Sequence, residues 1–252
     1  MTRIERLPGY ALIGMLFEVR GLSKRFGELA ALSDVGFQVC AGEVLGLIGP
    51  NGAGKSTLLE CLAGVLPCDS GGMRVHGRPI RSGERPTILF YVPDSIAPWS
   101  AQPLRWALDY TIGFFGGRPE LRDEVIAQLD LGGLLRRPIG VLSKGQRKRA
   151  LLAIGLLTRQ PALLIDEPFD GLDLHQTRDV AAGLRAHAAR GRTLVLSIHQ
   201  ISDAERICDR FVLLSNGRVR GEGTVSELAA QASFRTPAGS PASLEEVFLA
   251  LT

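Results

Sequence analysis

Apolar residues along the chain gather in short dense runs, and the spacing of those runs changes character twice. Leu16-Phe17-Glu18-Val19 opens a strand-like stretch, and Glu43-Val44-Leu45-Gly46-Leu47-Ile48 is almost wholly apolar. A strand without a polar side is buried on both faces, so the second run reads as a central parallel strand. A Gly-rich turn follows, then helical spacing from about Lys55 to Val65, stopped by Pro67. Short β-like pieces come next, Gly72 to Gly77 and Thr87 to Val92, separated by Gly and Pro. From about Pro98 to Gln160 the period becomes helical. Pro103 suits a first helical turn, and Leu104, Leu108 and Ile112 recur at helix spacing. Arg118 to Leu131 reads as another helix, and Ser143 as the N-cap of one through Leu157. After Pro161 the β character returns. Ala162 to Ile165 is a buried strand ending in Asp166-Glu167, Asp173 to Ala189 is helical, and Thr193 to Ile198 is a strand ending near His199. Phe211 to Leu214 and Arg218 to Gly221 flank Ser215-Asn216-Gly217, a strong hairpin signal, and a last helix fits Leu244 to Leu251.

The pattern predicts an α/β core interrupted by a helical insert at roughly 95–160. Residues 15–252 form one domain, and residues 1–14, with little periodicity and Pro8-Gly9, read as a loose extension. Met15 is a second candidate start, since the first strand begins beside it. There is no internal repeat, and the Ser/Pro/Gly-rich stretch near 232–242 reads as a loop.

Composition narrows the class. The 252 residues are 45% hydrophobic and 22% charged, ordinary for a globular protein with a sizeable core and wrong for a disordered one. The net charge of +3 is too small to argue for nucleic acid. Only four of the 29 basic residues are lysines: Lys24, Lys55, Lys144 and Lys148. The four cysteines, Cys40, Cys61, Cys68 and Cys208, form no C-x-x-C pair and have no His at ligand spacing, so they read as small buried hydrophobes in a reducing compartment. No stretch reaches the roughly 18 apolar residues that span a bilayer. The chain is therefore expected to be soluble, and any pore it serves belongs to another chain.

Three segments carry chemistry. Gly49-Pro50-Asn51-Gly52-Ala53-Gly54-Lys55-Ser56-Thr57 fits G-x-x-x-x-G-K-[ST]. Glycines let successive N–H groups point at phosphate oxygens, the following helix adds the positive end of its dipole, Lys55 reaches the β and γ phosphates, and Ser56 offers a hydroxyl to Mg2+. The bare pattern arises by chance in roughly one chain of this length in a hundred; here a buried strand precedes it and a helix follows. Asp166 and Glu167 lie at the carboxyl end of an apolar strand, the edge where open parallel sheets bind ligands. Asp166 suits Mg2+ and Glu167 suits polarising a water. Leu142-Ser143-Lys144-Gly145-Gln146 opens a helix whose first turns also carry Arg147, Lys148 and Arg149. By itself this is either a second anion site or a capped helix with a solvated basic face.

Together these segments resemble the ATP-binding subunit of ABC transporters. The order is specific: phosphate loop, Pro93-Asp94, Leu142 to Gln146, Leu163 to Pro168, Asp170-Gly171-Leu172-Asp173, then His199. The resemblance covers about Leu16 to Leu251. It implies a P-loop NTPase (RecA-like) core with a mostly parallel sheet, a small antiparallel β subdomain and a helical insert subdomain. It implies Phe26 stacking on adenine, Gly49 to Thr57 on the phosphates, and Ser56, Asp166 and Asp94 at the metal. Glu167 would be the general base, His199 the contact to the γ-phosphate, and Lys55 a further catalytic group. Ser143, Gly145 and Gln146 would cover the ATP of a second copy, and Asp173 would help join the two sites.

The cofactors implied are ATP and Mg2+. The partners are a transmembrane permease and a second nucleotide-binding subunit, in a homodimer or pseudo-dimer, with no nucleic acid. The place implied is the cytoplasmic face of the cell membrane, held through the permease. Two positions depart from the family pattern. Lys144 replaces a Gly, as in exporters of the drug- and antibiotic-resistance type, whose ending Ser243 to Leu249 also resembles. Asp94 stands where Gln or Glu is usual, one methylene shorter than Glu. Trp99, Trp106 and Phe114-Phe115 are either anchors for the permease or core. His76, His175 and His187 match nothing and read as surface residues. A non-transport ATPase acting on ribosomes or DNA is the competing class; paired nucleotide domains with a charged linker, or long coiled coils, would mark it.

Overall fold

In the computed structural model the described residues are 14–94, 96–232 and 243–252. The readings of residues 1–13 and of the loop at 233–242 lie outside them. Two sheets enclose two apolar cores. The smaller, antiparallel sheet holds β1 (Met15–Phe26), β2 (Leu29–Cys40), β4 (Ser70–Val75) and β5 (Arg78–Pro79) in the order β2-β1-β4-β5. The larger has the order β10-β9-β3-β8-β7-β6, from β3 (Val44–Ile48), β6 (Leu89–Val92), β7 (Ala162–Asp166), β8 (Thr193–Ile198), β9 (Arg210–Ser215) and β10 (Arg218–Gly223). Its pairs are parallel except for the β9–β10 hairpin.

Strand β3 explains the architecture. All five of its residues are buried, and the pleat sends alternate side chains to opposite layers. Leu45 and Leu47 join Leu58, Leu59 and Leu62 of α1 (Lys55–Ala63) and the apolar face of the small sheet. Val44 and Ile48 join the helices on the other side. These are α2 (Leu104–Phe114), α3 (Arg122–Gln128) and α4 (Lys144–Leu156) of the insert, with α5 (Leu174–Ala189) and α6 (Ile201–Ile207). Helices α7 (Val225–Gln231) and α8 (Leu244–Leu251) pack at the same layer's edge through Leu228, Leu244 and Val247.

Some boundaries differ from the sequence reading, each for a local reason. Helix α1 ends before Pro67, because Gly64 adopts a left-handed C-cap (φ 77°) and returns its N–H to Cys61 O and Glu60 O. Pro103 is the N-cap of α2, one residue before the helix, and its carbonyl accepts from Trp106 and Ala107 N–H. The expected helix from Arg118 to Leu131 is a single 3-10 turn, Pro119–Leu121, followed by α3, and left-handed Asp130 (φ 47°) ends that course. His187 is not a surface residue. It lies on the inward stripe of α5 with Val180 and Leu184, and is 1% exposed. His76 and His175 are exposed as expected.

Candidate active site

The site gathers at the carboxyl edge of the large sheet and the turns that follow it, with Phe26 at the end of β1 added from the small sheet. The turn from β3 into α1 needs its glycines. A Cβ on Gly49 would lie 2.3 Å from Leu214 O, and one on Gly54 would lie 2.7 Å from Ala31 O. Gly52 and Gly54 hold φ of 81° and 103°, the left-handed region that favours glycine. Gly54 is the N-cap of α1 and makes no side-chain cap, so the first N–H groups of this nine-residue helix are left for a ligand. Lys55 is folded back, its Nζ donating to Gly49 O at 2.8 Å and Pro50 O at 3.3 Å. Burial lowers its pKa, and the carboxylates of Glu167 and Asp166 oppose that shift.

This turn forms one wall of an open cleft of about 690 Å³, which Phe26, Asn51, Gly52, Lys55, Ser56, Thr57 and Glu167 help to line. Phe26, at the end of β1, is 49% exposed and carries Lys24 Nζ 5.5 Å from its ring centroid. It is thus a ring with a free face at the cleft and no core residue. Asn216-Gly217 of the β9–β10 hairpin lines the cleft too. Both adopt left-handed backbone (φ 49° and 67°), as a two-residue hairpin turn with φ positive at both positions requires. Gly217 N–H donates to Ala53 O and Gly217 O accepts from Ser33 N–H, so the hairpin ties the phosphate turn to β2.

The acidic end of β7 faces the same space. Asp166 is buried; one oxygen accepts from the Ser197 hydroxyl, and the other lies 3.5 Å from the Tyr91 hydroxyl. Burial, then the Asp166 charge, raises the Tyr91 pKa, so the phenol stays a donor. Glu167 adopts a left-handed backbone (φ 48°), rare for a non-glycine residue and a feature that clusters at functional sites. Its N–H donates to Ser197 Oγ at 3.0 Å, one carboxylate oxygen lies 2.6 Å from His199 Nδ1 and the other 3.9 Å from Lys55 Nζ. The three residues expected to be catalytic therefore meet.

Among the described residues, no group of three or more His, Cys, Asp or Glu side chains is arranged to hold a metal ion by itself. Mg2+ in phosphoryl-transfer sites takes one or two protein oxygens and completes its shell with phosphates and water, so Ser56 in the cleft and Asp166 at its edge fit that need. Asp94 is in a different situation: Lys148 Nζ lies 2.5 Å from it.

Ser143, Gly145 and Gln146 do not line the cleft. Ser143 and Gln146 form a capping box at the start of α4, and a Cβ on Gly145 would lie 2.7 Å from Gly171 O, so this corner is docked on the turn after Glu167. Asp173 caps α5 through the N–H of Gln176. The sequence reading did not single out Ser197, Tyr91 or Asn216-Gly217 for the site. Ser197 had a signal: it is the polar residue near the carboxyl end of an apolar strand, directly opposite Asp166 in register.

Fold and site together define a P-loop ATPase, a nucleoside-triphosphate site at the carboxyl edge of a parallel sheet. The family described as ABC transporter matches residues 32–170. The hemin import ATP-binding protein HmuV of Streptomyces coelicolor is 37% identical over 222 residues, covering 84% of this chain and 79% of that one. The Nod factor export ATP-binding protein I of a Rhizobium species is 35% identical over 213 residues, covering 82% and 70%. A solved structure described as the ATP-binding subunit of an ABC transporter superposes with a TM-score of 0.83 at 30% identity, covering 94% of this chain and 99% of that one. The chain belongs to the ABC transporter family, as an ATP-binding subunit and ATPase that uses ATP with Mg2+.

Proposed function

We propose that this chain powers the export of a substrate through a separate permease, with two copies closing around ATP. The observation that carries the nucleotide role is the meeting of Lys55, Glu167 and His199 at the mouth of the phosphate turn. Phe26 stacks on the adenine, and the N–H groups of Gly49 to Thr57 hold the phosphates. Ser56 and Asp166 hold Mg2+, which when bound neutralises charge on the transferring phosphoryl group. Glu167 takes the proton of the attacking water, and the imidazole of His199 orients that carboxylate and faces the γ-phosphate. Ser143, Gly145 and Gln146 supply donors from the second copy. That the first cleft lacks them in its own chain supports closure in trans.

The partner reading rests on α2. Trp106, Tyr110 and Phe114 recur every four residues on one side, stacked with centroids 5.0 Å and 5.4 Å apart, and all three are exposed. Trp99 meets Trp106 and Tyr110 edge-on. An exposed aromatic ridge is the composition of a binding surface, and the permease is the occupant this family requires. No helix among the described residues is long and apolar enough to cross a membrane; the proposed place, the cytoplasmic face of the membrane, follows from the permease partner.

Export is supported by Lys144 in the Leu142 to Gln146 segment and by the amphipathic α8. A relative named for hemin import favours the second reading, import. Purification of the chain with its permease from membranes, then transport assays in vesicles of known orientation, separates them. Mg-ATP-driven movement away from the face that carries this subunit supports export, and movement toward it establishes import.

A further inference from the structure

Helix α4 carries two lysines one turn apart, and each meets a carboxylate from a different loop of the catalytic edge. Lys144 Nζ lies 2.5 Å from Asp170 Oδ2, in the turn that follows Glu167. Lys148 Nζ lies 2.5 Å from Asp94 Oδ1, two residues past β6, and donates to the main-chain oxygen of Asp166 at 3.2 Å. The two pairs are physically unlike. Lys144 is exposed, so water and salt screen its pairing. Lys148 is 2% exposed, and burying an ammonium away from water is costly unless it is paired and hydrogen-bonded. Asp94 supplies the partner. That contact brings the Asp94 carboxylate against α4.

We infer that Lys148 is a positioning residue. Its ammonium fastens both the Asp94 loop and the end of β7 to α4, so that Asp94 is an anchor for the helical insert while the protein oxygens on Mg2+ are those of Ser56 and Asp166. The inference rests on the nucleotide site proposed above. The link ties α4 to the strand that bears Asp166, and α2, which carries the aromatic ridge, packs in the same core as α4.

The test uses the full chain as Asp94→Asn, Lys148→Met, the double variant, and Asp166→Asn for reference. Trp99 and Trp106 are the chain's two tryptophans and lie just beyond the Asp94 loop, so nucleotide-free emission reads the geometry of that segment. Mn2+ affinity with a non-hydrolysable ATP analogue, by electron paramagnetic resonance, reads the metal ligands. We expect Asp94→Asn and Lys148→Met each to shift the nucleotide-free emission and lower Tm. The double variant should be no worse than the worse single, as for two halves of one contact. Mn2+ affinity should hold in Asp94→Asn and fall at least about tenfold in Asp166→Asn. Unchanged emission together with Mn2+ weakened as much as in Asp166→Asn would make Asp94 a metal ligand and overturn the inference. So would full additivity of the two single variants. If Lys148→Met does not fold, Lys148→Gln, which keeps a donor for Asp166 O, replaces it. Failure of the wild type to bind nucleotide would sink the proposed site instead, while the emission and melting arms still decide the Lys148 contact.

Discussion

Glu167 is held between an imidazole and an ammonium: one oxygen is 2.6 Å from His199 Nδ1 and the other 3.9 Å from Lys55 Nζ. A carboxylate so placed is kept from swinging away, by residues from two other segments of the edge. The arrangement assigns distinct losses to distinct substitutions.

Glu167→Gln keeps the shape and removes the proton acceptor. Steady-state ATPase activity should fall by ~10²-fold or more, with ATP affinity retained in equilibrium binding. Turnover at the wild-type rate would remove Glu167 from its role.

Phe26→Ala should weaken ATP binding by roughly tenfold to a hundredfold, the range that loss of stacking on one base spans. Phe26→Trp should restore it. Titration calorimetry reads both, and a loss confined to turnover with unchanged affinity would contradict adenine stacking.

Two glycines of the turn should fail differently. Gly49→Ala drives a methyl to within 2.3 Å of Leu214 O, a main-chain atom, so thermal stability and ATP binding should both fall, by about 1–3 kcal/mol in stability. A Cβ on Gly52 meets nothing, but φ of 81° disfavours it. Gly52→Ala should cost about 1–2 kcal/mol and act mainly on phosphate binding.

Burial, helped by the charges of Arg192 and Arg190, pushes the His187 pKa down from 6.5 to about 4. Between those values the unfolded chain binds a proton that the folded chain refuses, so stability rises with pH across that window and is lost as pH falls through it. The full loss is roughly 3 kcal/mol and is complete below about pH 4. His187→Leu should flatten this part of the Tm-versus-pH curve between pH 7 and 5; an unchanged slope contradicts the assignment.

Trp106→Ser and Phe114→Ser should leave the ATPase activity of the isolated subunit unchanged and abolish co-purification of the permease. Intact co-purification in the double variant would place the docking surface elsewhere.

Much of this was legible in the sequence because the signals were local. The all-apolar runs at 44–48 and 162–165 belong to strands buried on both faces, and the phosphate turn announces itself by its glycines. Strand β2 was less visible. Val35, Phe37 and Val39 alternate correctly, but Asp34 takes a left-handed backbone near its middle and its pairing with β1 is interrupted by register shifts. Helix α3 was overextended because Leu129 and Leu131 continue an apolar rhythm after the backbone has turned. A lone His gives no sign of its face, so His187 reads as a surface residue, although Val180 and Leu184 mark the inward stripe. In the sequence Asp94 has only its family position to go by. Its actual neighbour, Lys148, is 54 residues away, and only the folded sheet edge brings the two together.

Sedimentation velocity of Glu167→Gln, with and without Mg-ATP, is the most direct measure of two copies closing around nucleotide. The account predicts a monomer without nucleotide and a dimer with Mg-ATP, and a monomer in both when Lys55→Ala is added. A Glu167→Gln protein that remains monomeric in saturating Mg-ATP, or a dimer indifferent to Lys55, would contradict it.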